Sequence, residues 1–80
     1  MKEYIATFHT HLSALLTSRK LTALSVRAQM MPVPRKLSSS CGTCVRYWAQ
    51  EPHLAAMDAD VEAVYETGAD GEYTRLLQND

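Results

Sequence analysis

The segment EPHLAAMDADVEAVYETG (51–68) decides the predicted fold. Pro52 suits the first turn of a helix, and Gly68 is a natural C-terminal stop. An apolar stripe at helical spacing runs between them, formed by Leu54, Met57, Val61, Val64 and Tyr65. The acidic residues Asp58, Asp60, Glu62 and Glu66 then cover the outer surface. This pattern predicts the second helix of the chain.

The other segments predict a first helix and four strands. Thr10 can act as the N-cap of a helix that reaches about Leu21, with the apolar face formed by Leu12, Leu15 and Leu16. Alternating or β-rich composition predicts strands over 3–8, 25–31, 44–49 and 72–78. Within these strands, Val26, Ala28 and Met30 are expected to point inward, and Val45 and Tyr47 to share one side.

The resulting β-α-β-β-α-β order matches the ferredoxin-like split βαβ layout. We therefore expect one α+β domain over residues 1–80, with a four-stranded antiparallel sheet and two helices on one face. In that layout the first two strands run in the same direction, so they finish at the same end of the sheet. His9, Thr10, His11 and the loop 32–43 would lie together at that end, with Cys44 beside the end of the first strand.

Composition limits the class of protein. Eighty residues with 46% hydrophobic content can build one small core, and a homodimer would add to its thin margin of stability. No apolar run reaches the roughly 18 residues of a membrane helix, and the start MKEYIATFHTH has no signal-peptide h-region. These observations predict a cytoplasmic protein that does not bind membranes.

The charges are unevenly distributed. Residues 1–50 carry seven of the eight basic side chains, and residues 51–80 carry eight of the nine acids. The basic half is too sparse, and too poor in exposed aromatics, to predict a nucleic-acid surface.

The segment RKLSSSCGTCVR (35–46) carries the candidate chemistry. Two cysteines this close in a reducing compartment favour a site over a permanent disulfide. The first helix would present free N–H groups to this loop, with Thr10 and His11 framing it, and these groups favour a thiolate at Cys41 or Cys44. The expected anion-stabilising residues are Arg35, Lys36, Ser39, Ser40, Gly42 and Arg46.

Several other interpretations of the cysteine pair stay open. A thioredoxin-like dithiol would be followed by a long helix, whereas a strand is expected here. A metal such as zinc would need four ligands, which could be Cys41, Cys44, His9 and His11. Two chemically inert cysteines are the remaining alternative.

The sequence also resembles a known family. The stretches YIATFHTH, MPVPRKLSSSCG (31–42) and VRY are similar to the family labelled "putative Se/S carrier protein-like", and the similarity covers roughly residues 3–50. The resemblance implies a small bacterial cytoplasmic protein that carries selenium or sulfur on a cysteine. Cys41, in the SSSCG run, matches the characteristic cysteine of the family.

These observations lead to one functional hypothesis and one alternative. The chain is expected to be a carrier, without a cofactor and without turnover of its own, that holds a persulfide or selenopersulfide on Cys41 between donor and acceptor proteins. Cys44 could attack that persulfide and release the atom. The alternative is a metal-binding or redox-switch module that uses the Cys41/Cys44 pair.

Overall fold

A computed structural model describes residues 1–79. Its elements are β1 (Lys2–Phe8), α1 (His11–Ala23), β2 (Arg27–Pro32), β3 (Thr43–Ala49), a 3-10 turn (Leu54–Ala56), β4 (Val61–Thr67) and β5 (Tyr73–Gln78). The strands form one sheet in the order β2-β3-β1-β4-β5, and every neighbouring pair is antiparallel. The helix α1 packs on one face of this sheet.

The predicted ferredoxin-like fold with four strands and two helices is wrong. Residues 1–79 form five strands and a single α-helix. The segment expected to be the second helix divides into the 3-10 turn and β4, and the strand predicted at 72–78 is the fifth strand of the sheet.

Asp58 explains why no helix runs through this segment. Its carboxylate accepts hydrogen bonds from the Ser13 hydroxyl at 2.8 Å and from the Asp60 amide at 3.2 Å. These bonds, the Ser13 bond foremost, lower the pKa of Asp58 and hold a turn where the helix would have to continue. The chain after this turn pairs along the free edge of β1, where its β-branched and aromatic side chains fit an extended strand.

The predicted arrangement of the first three strands is confirmed. β1 and β2 run in the same direction on either side of β3, and Thr7 near the end of β1 lies opposite Cys44. Val45 and Tyr47 lie in the core, and Val26, Ala28 and Met30 contribute to it as expected.

The buried face of α1 differs from the prediction. Ser13, Ala14, Thr17 and Leu21 face the sheet, whereas Leu12 and Leu16 are exposed. Small side chains allow the helix to approach the sheet closely. The Ser13 hydroxyl bonds the Asp58 carboxylate, and the Thr17 hydroxyl accepts a hydrogen bond from the Asp58 amide at 3.0 Å. Polar residues are therefore buried here because each hydroxyl has a partner.

The opposite face of the sheet is also covered. Ile5 and Thr7 alternate with the residues that face α1, yet both are fully buried. The Lys36 amine, in the connection from β2 to β3, donates to the Glu72 carboxylate at 3.2 Å, next to the turn between β4 and β5. Because α1 occupies the other face, we infer that residues 33–42 cross the helix-free face and cover part of it.

In the part of the chain that the structure describes, no helix has the length and apolar character needed to cross a membrane.

Candidate functional site

The Cys41 thiol lies at the end of the sheet where β1 stops and α1 begins. Its side chain is partly buried, and the Sγ atom donates to the Thr43 carbonyl at 3.5 Å. The next residue, Gly42, has a φ of 74°, which a side chain would strain, and its carbonyl accepts from the Val33 amide at 3.1 Å. A tight glycine turn thus holds Cys41 at the rim of the fold.

Ser39 joins the thiol to the central strand. Its hydroxyl donates to the Phe8 carbonyl at 2.9 Å, and its Oγ lies 3.9 Å from the Cys41 Sγ. Phe8 is the last residue of β1 and is fully buried. Because β1 is the central strand of the sheet and is paired on both sides, this bond attaches the Cys41 segment to the middle of the fold.

Ser40 is held by a carboxylate from β4. The Ser40 amide and hydroxyl donate to the two oxygens of Glu62, at 3.2 and 3.1 Å. The His9 Nδ1 lies 3.5 Å from the Ser40 hydroxyl and 3.9 Å from Glu62. We call Ser40, Glu62 and His9 the carboxylate latch.

A β-bulge explains why Glu62 can reach Ser40. Phe8 is paired with Val61 and Thr7 with Ala63, so Glu62 is an extra residue without a partner on β1. An extra residue of this kind turns its side chain away from the regular alternation. The bulge thereby directs the Glu62 carboxylate to the end of the sheet.

The start of α1 also contacts the cysteine segment. Thr10 is the N-cap, as predicted, and its hydroxyl accepts from the Ser13 amide at 3.1 Å. The His11 Nδ1 lies 3.4 Å from the Thr43 hydroxyl. His11 and Thr10 therefore stand beside the cysteine segment, although neither forms a hydrogen bond with a cysteine in the described residues.

The three basic residues predicted to stabilise an anion do not form one cluster around the cysteines. Arg35 is exposed, and Lys36 is paired with Glu72. The Arg46 Nε lies 3.8 Å from the Glu3 carboxylate, and the Arg46 guanidinium lies 5.9 Å from the centre of the Trp48 ring. Lys36 and Arg46 thus have acidic partners, although the charge of Arg46 still acts on the Cys44 thiol.

Cys44 differs from Cys41 in its surroundings. It is fully buried in β3, and its thiol donates to the Pro32 carbonyl at 3.7 Å. Burial raises the pKa of Cys44 to about 11, although the nearby positive charge of Arg46 opposes the shift. Cys44 is therefore held as a neutral thiol at neutral pH.

The four residues predicted as possible metal ligands, Cys41, Cys44, His9 and His11, do not form one cluster. Among residues 1–79 no set of three or more His, Cys, Asp or Glu side chains is arranged to hold a metal ion. His9 contacts the carboxylate latch, and His11 contacts Thr43.

Two contributors to the site were missed by the sequence analysis. Glu62 was expected on the outer surface of a helix, and Asn79 was not singled out. The Asn79 side-chain amide donates to the Ala59 and Val61 carbonyls, and the backbone carbonyl of Asn79 lies 3.4 Å from the His9 Nε2. The alternating Val61, Ala63 and Tyr65 could have indicated a strand, but no local signal indicates the bulge.

A family comparison agrees with this geometry. The family model described as "Putative Se/S carrier protein-like" matches residues 3–66, from β1 to the end of β4. The fold is that of a small α+β protein with one partly exposed thiol and one buried thiol. The chain belongs to the putative Se/S carrier protein-like family, which confirms the resemblance noted in its sequence. No curated protein and no solved structure gives a significant match.

Proposed function

We propose that the protein carries sulfur or selenium as a persulfide or selenopersulfide on Cys41. The proposal rests on the difference in exposure between the two free thiols of a chain of this family. Cys41 is partly exposed at the rim of the fold, whereas Cys44 is fully buried. The outer atom of a persulfide must be accessible to the next protein, and Cys41 is the thiol that meets this requirement.

The transfer needs no external oxidant or reductant. The Cys41 thiolate attacks the outer sulfur of a donor persulfide, a new S–S bond forms, and the donor leaves as its thiolate. An acceptor nucleophile then attacks the outer sulfur on Cys41, and the Cys41 thiolate is released. Selenium follows the same exchange with a Se–S bond in place of the outer S–S bond.

The residues around Cys41 suit this exchange. The Ser39 hydroxyl lies near the Sγ atom, and the first turn of α1 presents its backbone amides at the same end of the sheet. Both would stabilise the negative charge that alternates between thiolate and persulfide. Gly42 leaves space beside the thiol, since nothing lies within 4 Å of the position that a Cβ would occupy there.

Cys44 is not part of this two-step exchange. A direct attack on the Cys41 persulfide would release hydrogen sulfide and form a Cys41–Cys44 disulfide. That reaction needs a Cys44 thiolate, and a pKa of about 11 makes this form rare at neutral pH. We therefore propose that cargo leaves Cys41 by attack of the acceptor.

The setting of this function follows from the chemistry. A reducing compartment such as the cytoplasm would keep Cys41 free to accept cargo. Protein donors and acceptors supply the reactions on either side, so the chain would act as a carrier without catalytic turnover of its own.

Intact-mass spectrometry after treatment with glutathione persulfide tests the proposal. We expect the wild-type chain to gain about 32 Da, the mass of one sulfur atom, and a selenopersulfide donor to add about 80 Da. Cys44→Ser should load equally well and Cys41→Ser should not load. Equal loading of the Cys41→Ser variant would show that the carrier thiol is assigned wrongly.

A further inference from the structure

The outer surface of α1 carries an unexpected row of three exposed leucines and one lysine. Leu12, Leu16, Lys20 and Leu24 follow one another at four-residue spacing, from the start of the helix to its C-cap. The three leucines are 62%, 44% and 53% exposed. We call these four residues the α1 row. Their spacing forms the ridge that a second helix packs against in proteins.

The α1 row leads from the cysteine site to a groove. Leu12 follows His11, whose ring contacts Thr43 in the cysteine segment. At the other end, Leu24 helps to line a groove of about 300 Å³ together with Ala23, Leu54, Ala55 and Ala56. Leu54 is itself 39% exposed. The α1 row therefore runs along the full helix, and its Leu12 end lies next to the residue that contacts the cysteine segment.

The charge of this surface indicates what would cover it. The helix α1 contains no acidic residue, and it exposes Arg19 and Lys20. Neither forms an ion pair within residues 1–79. Glu51 is the acidic residue among those that line the groove, at the end of α1 far from the cysteine segment. A second copy of α1 would bring like charges together, whereas a partner with carboxylates around an apolar surface would neutralise them.

We propose that the α1 row is the docking surface for the protein that exchanges cargo with Cys41, and that this partner presents an apolar helix edged by acidic residues. This inference rests on the proposed carrier function. It adds the contact that would bring a partner thiol to the Cys41 end of the chain.

Binding of designed helical peptides tests the docking surface without a transfer step. One 15-residue peptide would carry leucines at four-residue spacing with glutamates on either side. The control peptide would have lysines in place of the glutamates. We expect the glutamate peptide to bind, with amide shifts in NMR spectra confined to α1 and the groove. The lysine peptide should bind about tenfold more weakly, and added salt should reduce the difference.

Two variants locate the binding. Leu16→Glu should abolish binding of the glutamate peptide, while Leu76→Glu, a similarly exposed leucine on β5, should leave it unchanged. Circular dichroism melts would show that both variants are folded. The docking proposal is overturned by equal binding of the two peptides, by no binding of either, or by unchanged binding to Leu16→Glu. A wild-type dimer that Leu16→Glu converts to a monomer would overturn it as well.

Failure of docking and failure of the carrier function give different results. Cys41→Ser should still bind the glutamate peptide, because the α1 row does not include the thiol. Leu16→Glu should still gain sulfur from glutathione persulfide, because a small donor needs no docking surface. Loss of loading with intact peptide binding would contradict the carrier function alone.

Discussion

Cys41 and Cys44 are separated by two residues, yet the fold gives them different chemistry. Cys41 lies outside the sheet on a glycine turn, and Cys44 is the second residue of β3 with its side chain covered. Burial removes solvent from the Cys44 thiol and raises its pKa, whereas Cys41 is only partly buried against the edge of the core. The two thiols therefore differ in burial, with Cys41 partly exposed and Cys44 fully buried.

Alkylation with iodoacetamide tests this difference. In folded Cys41→Ser protein we expect Cys44 to react at least about 100-fold more slowly at pH 7 than in urea, because a thiol with a pKa of about 11 is mostly protonated. The rate should rise about tenfold per pH unit, since each unit below the pKa reduces the thiolate tenfold. Mass spectrometry over a pH series measures both quantities. Equal rates in folded and unfolded protein would contradict the assigned burial.

The sequence predicts part of this site. The loop composition predicted a site in the cysteine segment, which stays a prediction, and the predicted placement of Cys44 beside β1 is confirmed. The full burial of both Cys44 and Val45 could not be predicted from alternation along β3, because it requires both faces of the sheet to be covered there. The connection from β2 to β3 is held by contacts that are distant in sequence, such as Lys36 with Glu72, 36 residues away.

The bulged strand β4 holds the cysteine segment in position through Glu62. The carboxylate receives two hydrogen bonds from Ser40, the residue immediately before Cys41. Without it, the Ser40 amide would have no partner from β4, and residues 38–42 would rely on the Ser39 bond to Phe8.

Glu62→Ala should therefore loosen the Cys41 segment. We expect faster hydrogen exchange at the Ser40 amide, a severalfold rise in Cys41 alkylation, and a loss of about 1 kcal/mol in the free energy of unfolding. Glu66→Ala on the same strand is the control, because Glu66 contacts Lys2 only at 4.0 Å, away from the cysteines. Unchanged exchange at Ser40 would show that the carboxylate latch does not restrain the segment.

The prediction of a helix at 61–67 failed for a physical reason. Leu54, Met57, Val61 and Val64 fit helical spacing, but the residues that follow Asp58 are also an acceptable strand. The strand forms instead of the helix because β1, more than 50 residues earlier in the chain, has an edge to pair with. That edge gains a full ladder of hydrogen bonds from β4. Local spacing contains no information about that edge. The same limit applies to α1, where Ser13 and Thr17 are buried because Asp58 is near.

The whole molecule includes one strand beyond the family match. The matched residues end at 66, whereas β5 spans Tyr73–Gln78 and pairs with β4. Leu77 packs against the core, and the Asn79 amide group bonds back to the start of β4. β5 therefore protects the outer edge of β4 and supports the strand that carries Glu62.

A chain that ends at Gly68 tests this role. We expect its melting temperature to fall by about 10 °C or more, because the packing of Leu77 and the β4–β5 hydrogen bonds are lost. The exposed edge of β4 should also cause self-association, visible by sedimentation velocity. A monomeric chain with an unchanged melting temperature would show that β5 adds no stability.

The central position of β1 also determines when the site can form during synthesis. β1 leaves the ribosome first, but its neighbour β4 begins 53 residues after Phe8. At about 5–20 residues per second, β1 waits about 3–10 s for that partner. The carboxylate latch forms only after β4 has paired, so a nascent chain has Cys41 before it has the structure that positions it. The Cys41 segment is therefore unrestrained by Glu62 until β4 has been made and has paired with β1.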